Sequence, residues 1–221
     1  MIIVCGGIKG GGGKTTISTN LAVMRSLAGN DVLLVDADEQ DSASDFVAVR
    51  DETFAKDGGA GFTSVKLRAA AVRNDVARMA EKYDDIIIDA GGRDNPGHRA
   101  ALLVANLYVI PLFPGSFDVW TLESVSKLIE DAVSFNQGLK SVCFLNRLAS
   151  TGSEKEEAAE IVKDTAGLIY LEQSIGYRKV FYQSAADGKA VVEYRPKNIK
   201  AIEEIQSVYE VIFDQAWKEK R

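Results

Sequence analysis

Along the chain, short apolar runs alternate with longer stretches in which apolar residues return every three or four positions. The runs Met1 to Cys5, Asp31 to Asp36, Phe62 to Lys66, Ile86 to Asp89, Leu107 to Pro111 and Leu139 to Leu145 read as strands, and Leu168 to Leu171 as a short edge strand. Helical spacing marks Thr16 to Leu27, with Ile17, Leu21, Met24 and Leu27 on one face, and Leu67 to Lys82, with Ala70, Val72, Val76 and Met79. Ser44 to Arg50 is a shorter helix, and Asp51 to Gly61 an exposed connection. Asn95 to Ala105 takes Pro96 in its first turn. Ser116 to Phe135 turns Val119, Leu122, Val125 and Leu128 or Ile129 inward, with Ser116 as its cap. Glu154 to Thr165 is a charged surface helix. Ile175 to Ala186 follows as a stretch of interleaved basic and aromatic residues, and Ile199 to Trp217 reads as a closing helix with Ile202, Ile205, Val208, Ile212 and Trp217 inward. Strands regularly separated by helices predict an α/β fold: a mostly parallel twisted sheet with helices on both faces.

The 221 residues suit one domain spanning 1–221. No 18-residue apolar stretch or leader-like segment stands out, which predicts a soluble, cytoplasmic chain. Cys5 and Cys143 both lie in strand-like apolar runs and are expected as unpaired core thiols. The one histidine, His98, provides no triad or zinc cluster, and is expected as a polar residue near a helix start. With 32 acidic and 26 basic residues the formal charge is −6, which opposes tight nucleic-acid binding by the surface as a whole and leaves room for a local basic patch.

Candidate chemistry concentrates in Gly6 to Thr16, GGIKGGGGKTT, directly after the first strand. The consecutive glycines Gly10, Gly11, Gly12 and Gly13 suit a backbone that must approach phosphate closely. Lys14 and Thr15 follow where a P-loop needs an ammonium beside the β and γ phosphates and a hydroxyl on Mg2+. The strict Walker A pattern is broken by Ile8 where a glycine is required, and a second lysine, Lys9, stands beside it. Two ammonium groups on one loop repel each other unless phosphate charge compensates them. Asp36 closes the second strand, where open parallel sheets place ligands, and is a candidate to coordinate or orient magnesium and its water; Asp38 is a candidate to position an attacking water. Helix capping is the competing role, preferred for Asp41 or Ser42. Ile86 to Asp89 fits a Walker B strand, whose carboxylate holds magnesium. Beyond it, Ala90 to Asp94 is suited to sensing a γ-phosphate, and Arg93 reaches a phosphate or partner, or closes a surface salt bridge. Pro111 and Pro114 stiffen a strand-end loop that packs against adenine or is simply a rigid connection. Asn146 either reads the base or forms a turn. Arg68, Arg73 and Arg78 read as a solvated face. Tyr177, Arg178, Lys179, Phe181 and Tyr182, followed by Lys189, Arg195, Lys197 and Lys200, either track a DNA backbone or belong to a half-buried helix and loop.

The segment Lys9 to Thr16 resembles the deviant Walker A box of the ParA/MinD family of dimeric ATPases. Asp36-Ala37-Asp38-Glu39-Gln40 is similar to that family's Asp-x-Asp-Pro-Gln, Ile86 to Asp89 to its Walker B, and Ile110 to Asp118 to the adenine-side loop of small plasmid-type ParA proteins. Arg178 to Glu193 also resembles their C-terminal region. The resemblance implies a P-loop fold and ATP hydrolysis with magnesium. It implies that Lys9 contacts phosphate across an ATP-bound homodimer, that Lys14, Thr15 and Thr16 hold nucleotide, and that Asp38 positions water. It further implies metal support from Thr15, Asp36 and Asp89, and an adenine site around Asn146, Pro111 and Pro114. Non-specific DNA, a ParB-like or cargo-adaptor protein and a nucleoid location follow as expectations; a MinD-like membrane-positioning ATPase and a nucleotide-gated scaffold are the alternatives. Glu39 replaces the usual proline, and no N-terminal helix-turn-helix is evident. The tail Trp217 to Arg221 carries too acidic a helix before it to favour membrane contact.

Overall fold

The computed structural model describes residues 1–92, 94–113, 119–149 and 154–214. Strands β1 (Ile2–Cys5), β2 (Val32–Asp36), β3 (Thr63–Lys66), β4 (Asp85–Asp89), β5 (Leu107–Leu112), β6 (Lys140–Leu148) and β7 (Ile169–Gly176) form one sheet in the order β3-β2-β4-β1-β5-β6-β7. All of its pairings are parallel. Helices α1 (Lys14–Leu27), α2 (Ser42–Thr53), α3 (Ala70–Met79), α4 (Pro96–Leu102), α5 (Val119–Val133), α6 (Glu154–Lys163), α7 (Lys179–Ala186) and α8 (Ile199–Phe213) cover both faces.

The period-two alternation of side chains along each strand divides the core. Ile3, Leu34, Ile87, Val109 and Phe144 face α1, α2, α7 and α8 through Ile17, Leu21, Phe46, Phe181 and Ile205. Val4, Leu33, Ile88, Tyr108 and Leu145 face α3, α4, α5 and α6 through Val76, Leu102, Leu128 and Val162. A sheet covered on both sides explains why its strands read as nearly continuous apolar runs.

The register aligns the site. Cys5 and Asp36 both stand opposite Asp89, so the C-terminal ends of β1, β2 and β4 meet at one edge. Remote contacts fasten the last part of the chain to this frame. Buried Arg50 in α2 forms a two-pronged pair with Glu193, at 2.7 and 2.9 Å, and also donates to Ala60 and Gly188 carbonyls. Asn20 of α1 accepts the buried Val191 N–H at 2.9 Å.

Several element boundaries differ from the sequence expectation. Helix α2 continues to Thr53 and is followed by a 3-10 turn, Ala55–Asp57, so that the segment after it is partly structured and Ala60 is buried. Helix α3 begins only at Ala70, because Ala69 has φ +46, and Arg68 before it bonds the Asp36 carbonyl instead of lying on a solvated face. Strand β7 runs to Gly176, making Ile175 a strand residue. Leu27, expected inward, is 61% exposed at the end of α1, and Ile202 is only half-buried. Cys5 and Cys143 are buried free thiols, as expected. Ser116 and Trp217 lie outside the described residues.

Candidate active site

Strand β1 passes at Gly6 directly into the glycine loop, while Gly6 still donates to the Val109 carbonyl. Gly11 and Gly13 have φ of +81° and +85°, and α1 begins at Lys14. Left-handed glycines feeding a helix N-terminus build a concave, amide-lined surface suited to anions. Gly12 passes close to β5: a Cβ there would sit 2.9 Å from the Pro111 carbonyl oxygen.

Lys14 is almost completely buried, and its ammonium donates to the Lys9 carbonyl at 3.1 Å. Burial lowers the Lys14 pKa from its ordinary value; Asp89 and then Asp38 oppose that effect. Lys9 is exposed on the same loop. The Thr15 hydroxyl donates to Asp89 Oδ2 at 2.7 Å, whereas buried Asp89 Oδ1 has no hydrogen-bond partner. Burial raises Asp89 to about 7; the Thr15 hydrogen bond opposes this, nearby Asp36 adds to it and Lys14 reduces it.

Asp36 is bonded within its own turn. Its Oδ2 accepts from both the Ser44 amide, at 2.8 Å, and the Ser44 hydroxyl, at 2.6 Å, while Oδ1 accepts from the Asp38 amide at 3.1 Å. It therefore holds the turn carrying Asp38 against the start of α2. Asp41 occupies the capping position of α2, with φ +56, but makes no side-chain cap bond; its carboxylate pairs with Lys66 and Arg68. The expected caps at Asp41 or Ser42 are thus replaced from the end of β2.

Two adjoining hollows meet at Gly13 and Thr16. One, of about 400 Å3, is polar and contains the glycine loop, Lys14, Thr15, Asp38, Gly92 and Asn95 on its walls. Gly91 and Gly92 leave little room: added Cβ atoms would approach Asp38 Oδ1 to 3.0 Å and Lys14 Nζ to 2.9 Å. The post-β4 backbone consequently lies against both charged groups. The second hollow, of about 580 Å3, runs from Gly13 and Thr16 past Asn146 and Arg147 to Ile175, Tyr177 and Tyr182. A polar hollow joined to a larger one with an apolar wall suits a ligand with an anionic end and a flat ring.

The structure gathers Gly10, Gly11, Gly13, Lys14, Thr15, Thr16 and Asp38 around the polar hollow, with Asp89 bonded beneath Thr15. Asn146 reaches the loop, but its amide donates to the Gly12 carbonyl at 2.7 Å while its Oδ1 accepts from the Arg147 amide. Pro111, expected both to close a strand and to open a stiffened loop, lies within β5, which runs on to Leu112. It is a buried residue of β5, opposite Phe144, beyond the Cys5–Val109 pairing where β1 leaves the sheet, so its missing N–H interrupts no β1 ladder bond. Pro114 and Arg93 lie outside the described residues. His98 sits at the start of α4, where its amide donates to the Asn95 cap.

The basic and aromatic stretch after β7 is divided. Arg178 pairs with Glu204 of α8 at 2.5 and 2.7 Å, Phe181 is buried, and Tyr177 and Tyr182 are exposed on the wall of the larger hollow. Arg195, Lys197 and Lys200 are exposed farther along. Sequence reasoning singled out Tyr177 and Tyr182 without placing them on the wall of a hollow, and gave Arg147 no role; the aromatic Tyr177 directly after a glycine was the available signal.

Hard oxygen donors from Thr15 and Asp89, one of them an unpartnered buried carboxylate oxygen, fit a magnesium ion completed by phosphate oxygens. No group of three or more His, Cys, Asp or Glu side chains forms a metal cluster among the described residues.

Residues 2–192 match the family described as the CobQ/CobB/MinD/ParA nucleotide binding domain. The chain is 25% identical over 202 residues to the maintenance of carboxysome distribution protein A of Halothiobacillus neapolitanus, covering 91% of each. Among solved structures, a Borrelia burgdorferi plasmid partition protein bound to AMPPNP shares its fold with a TM-score of 0.73 at 20% identity, covering 97% of this chain and 98% of that one. The Pyrococcus furiosus cell division ATPase MinD does so with a TM-score of 0.73 at 21% identity, covering 97% and 98%. A Cyanothece McdA–ATP complex gives 0.73 at 15% identity, covering 95% and 94%.

Proposed function

The chain belongs to the CobQ/CobB/MinD/ParA nucleotide-binding family of P-loop ATPases, and from that premise we propose that it is a partition or positioning ATPase working as an ATP-dependent homodimer. In the ATP state the dimer binds non-specific DNA, and a partner protein, ParB-like or a cargo adaptor, stimulates hydrolysis and release. Slow turnover without that partner is part of the reading.

The observation that carries it is the division between two lysines on one loop. Lys14 is buried beside Asp38 and Asp89, within reach of a phosphate in its own subunit, while Lys9 is exposed on the rim. An exposed second cation on a phosphate-binding loop is suited to complete the site of another copy across an interface. Gly10 to Gly13 cradle phosphate, and Thr15, Thr16 and Lys14 hold it at the start of α1. Asp38, held by the Asp36 turn, orients the attacking water. Thr15 and Asp89 would hold magnesium, with Asp36 supporting the shell by fixing the turn; the ion, when bound, neutralises charge on the phosphate oxygens. The base lies in the larger hollow beside Asn146.

DNA binding is supported by the exposed basic residues Arg195, Lys197 and Lys200, on a chain of net charge −6. No helix among the described residues is long and apolar enough to cross a membrane. The direct test is Lys9→Ala: nucleotide binding persists, while ATP-dependent dimerisation and hydrolysis are lost. Wild-type turnover and dimerisation in that variant would reject the role of Lys9.

A further inference from the structure

The geometry points to Arg147 as a positioning residue that holds the phosphate loop open for its ligand, an inference that rests on the glycine loop binding nucleotide phosphate. Amides of such a loop converge on phosphate only if its carbonyls are turned away. Four of those carbonyls have donors behind them. Lys9 O accepts from Lys14 Nζ, Gly13 O from the Ile17 amide at 2.9 Å, Gly12 O from Asn146 at 2.7 Å and Gly11 O from the Arg147 guanidinium at 2.7 Å. Consecutive residues at the end of β6 thus grip consecutive loop carbonyls.

Arg147 also has a backbone cost that Asn146 lacks. Its φ is +60°, in the left-handed region that a bulky side chain rarely occupies. The register between β6 and β7 shifts across Asn146 and Leu148, and the Tyr177 amide bonds the Leu148 carbonyl at 2.8 Å, so the strand end is fixed in this twisted form. Glycine would fit the backbone better. What glycine could not supply is the charged fork on Gly11 O. The same guanidinium lies 5.7 Å from the centre of the Tyr177 ring, on the rim of the larger hollow. Arg147 therefore joins the loop that takes phosphate to the wall beside the base, without itself needing to touch a phosphate.

Loss of a charge-assisted hydrogen bond that preorganises the loop predicts about tenfold weaker binding. The test compares wild type, Arg147→Gly and Arg147→Lys by equilibrium binding of fluorescent ATP and ADP with magnesium, together with thermal melting of each ligand-free protein. Failure of the wild type to bind either nucleotide would sink the phosphate-loop reading itself. If the wild type binds, R147G is expected to bind both about tenfold more weakly while melting no lower than wild type, because glycine relieves the left-handed backbone. Millimolar guanidinium restores part of that affinity in R147G only, and R147K, which keeps charge without the fork, falls between. Binding by R147G within twofold of wild type, or a loss that tracks a lowered melting temperature and ignores guanidinium, overturns the assignment.

Discussion

Replacing Asp89 by Asn isolates one ionisation inside the site. Burial lifts this carboxyl from 3.8 to about 7, with Asp36 adding repulsion and Thr15 and Lys14 opposing it. The folded protein thus binds the Asp89 proton more tightly than the unfolded chain does, so this group makes folding less favourable as pH rises. The loss begins near 3.8, where the unfolded chain releases the proton, and is complete above about 7, where the folded protein releases it too. Between pH 5 and pH 8 it amounts to roughly 2–3 kcal/mol, within a full displacement worth roughly 4 kcal/mol. In D89N the Thr15 hydroxyl retains an acceptor, and the ionisation is gone. Urea unfolding of both proteins, without nucleotide and with chelator, should show the difference in stability shifting in favour of D89N by roughly 2–3 kcal/mol from pH 5 to pH 8. Subtracting one protein from the other removes the other carboxylates. A difference that stays constant over this range refutes the account of Asp89 as a buried carboxylate left partly unsatisfied. Magnesium with ATP should flatten the pH dependence of the wild type alone, because it stabilises the ionised form.

Glu193→Ala strands the Arg50 guanidinium, which is 4% exposed and stacks 4.5 Å from the Phe54 ring centre; removing one partner of such a pair costs roughly 3–5 kcal/mol, read by urea unfolding at pH 7. Retained stability would mean that the carbonyls of Ala60 and Gly188 suffice for Arg50. Asp38→Asn keeps the acceptor for the Gln40 amide, seen at 3.2 Å, but removes the charge proposed to orient water. Hydrolysis should fall about 100-fold or more with ATP affinity changed only severalfold, in phosphate-release and binding assays; unchanged hydrolysis removes Asp38 from the mechanism.

What could be read from the sequence was what the chain keeps local. Gly10 to Thr16 declare themselves because the loop, its lysine and its hydroxyl are contiguous and follow a strand, and Asp89 because three isoleucines lead into it. The doubly covered parallel sheet is likewise written in strand-helix alternation. Contacts between distant segments were not legible. Arg50 and Glu193 are 143 positions apart, and Arg147 reaches a carbonyl 136 positions away. Asp36 was legible as a carboxylate at a strand end, but its bonds to Ser44 across the folded turn were not. The polar Glu172-Gln173-Ser174 stretch broke the apolar run of β7, where the register shifts against β6, and so hid the strand residues that carry Ile175 into the wall of the larger hollow. Pro111 marked the strand end one residue early: proline normally signals a loop, but β5 continues through it to Leu112, where a neighbouring strand has already departed.

The proposed function makes the chain a nucleotide-gated dimer that binds DNA. Its most direct test is binding of the purified protein to non-specific duplex DNA with no nucleotide, with ADP, or with ATP and magnesium, at two salt concentrations and with solution mass measured in parallel. The account predicts a dimer and salt-sensitive DNA binding in ATP only, both lost in K9A. A dimer that ignores DNA, or DNA binding that is the same in every nucleotide state, would contradict it.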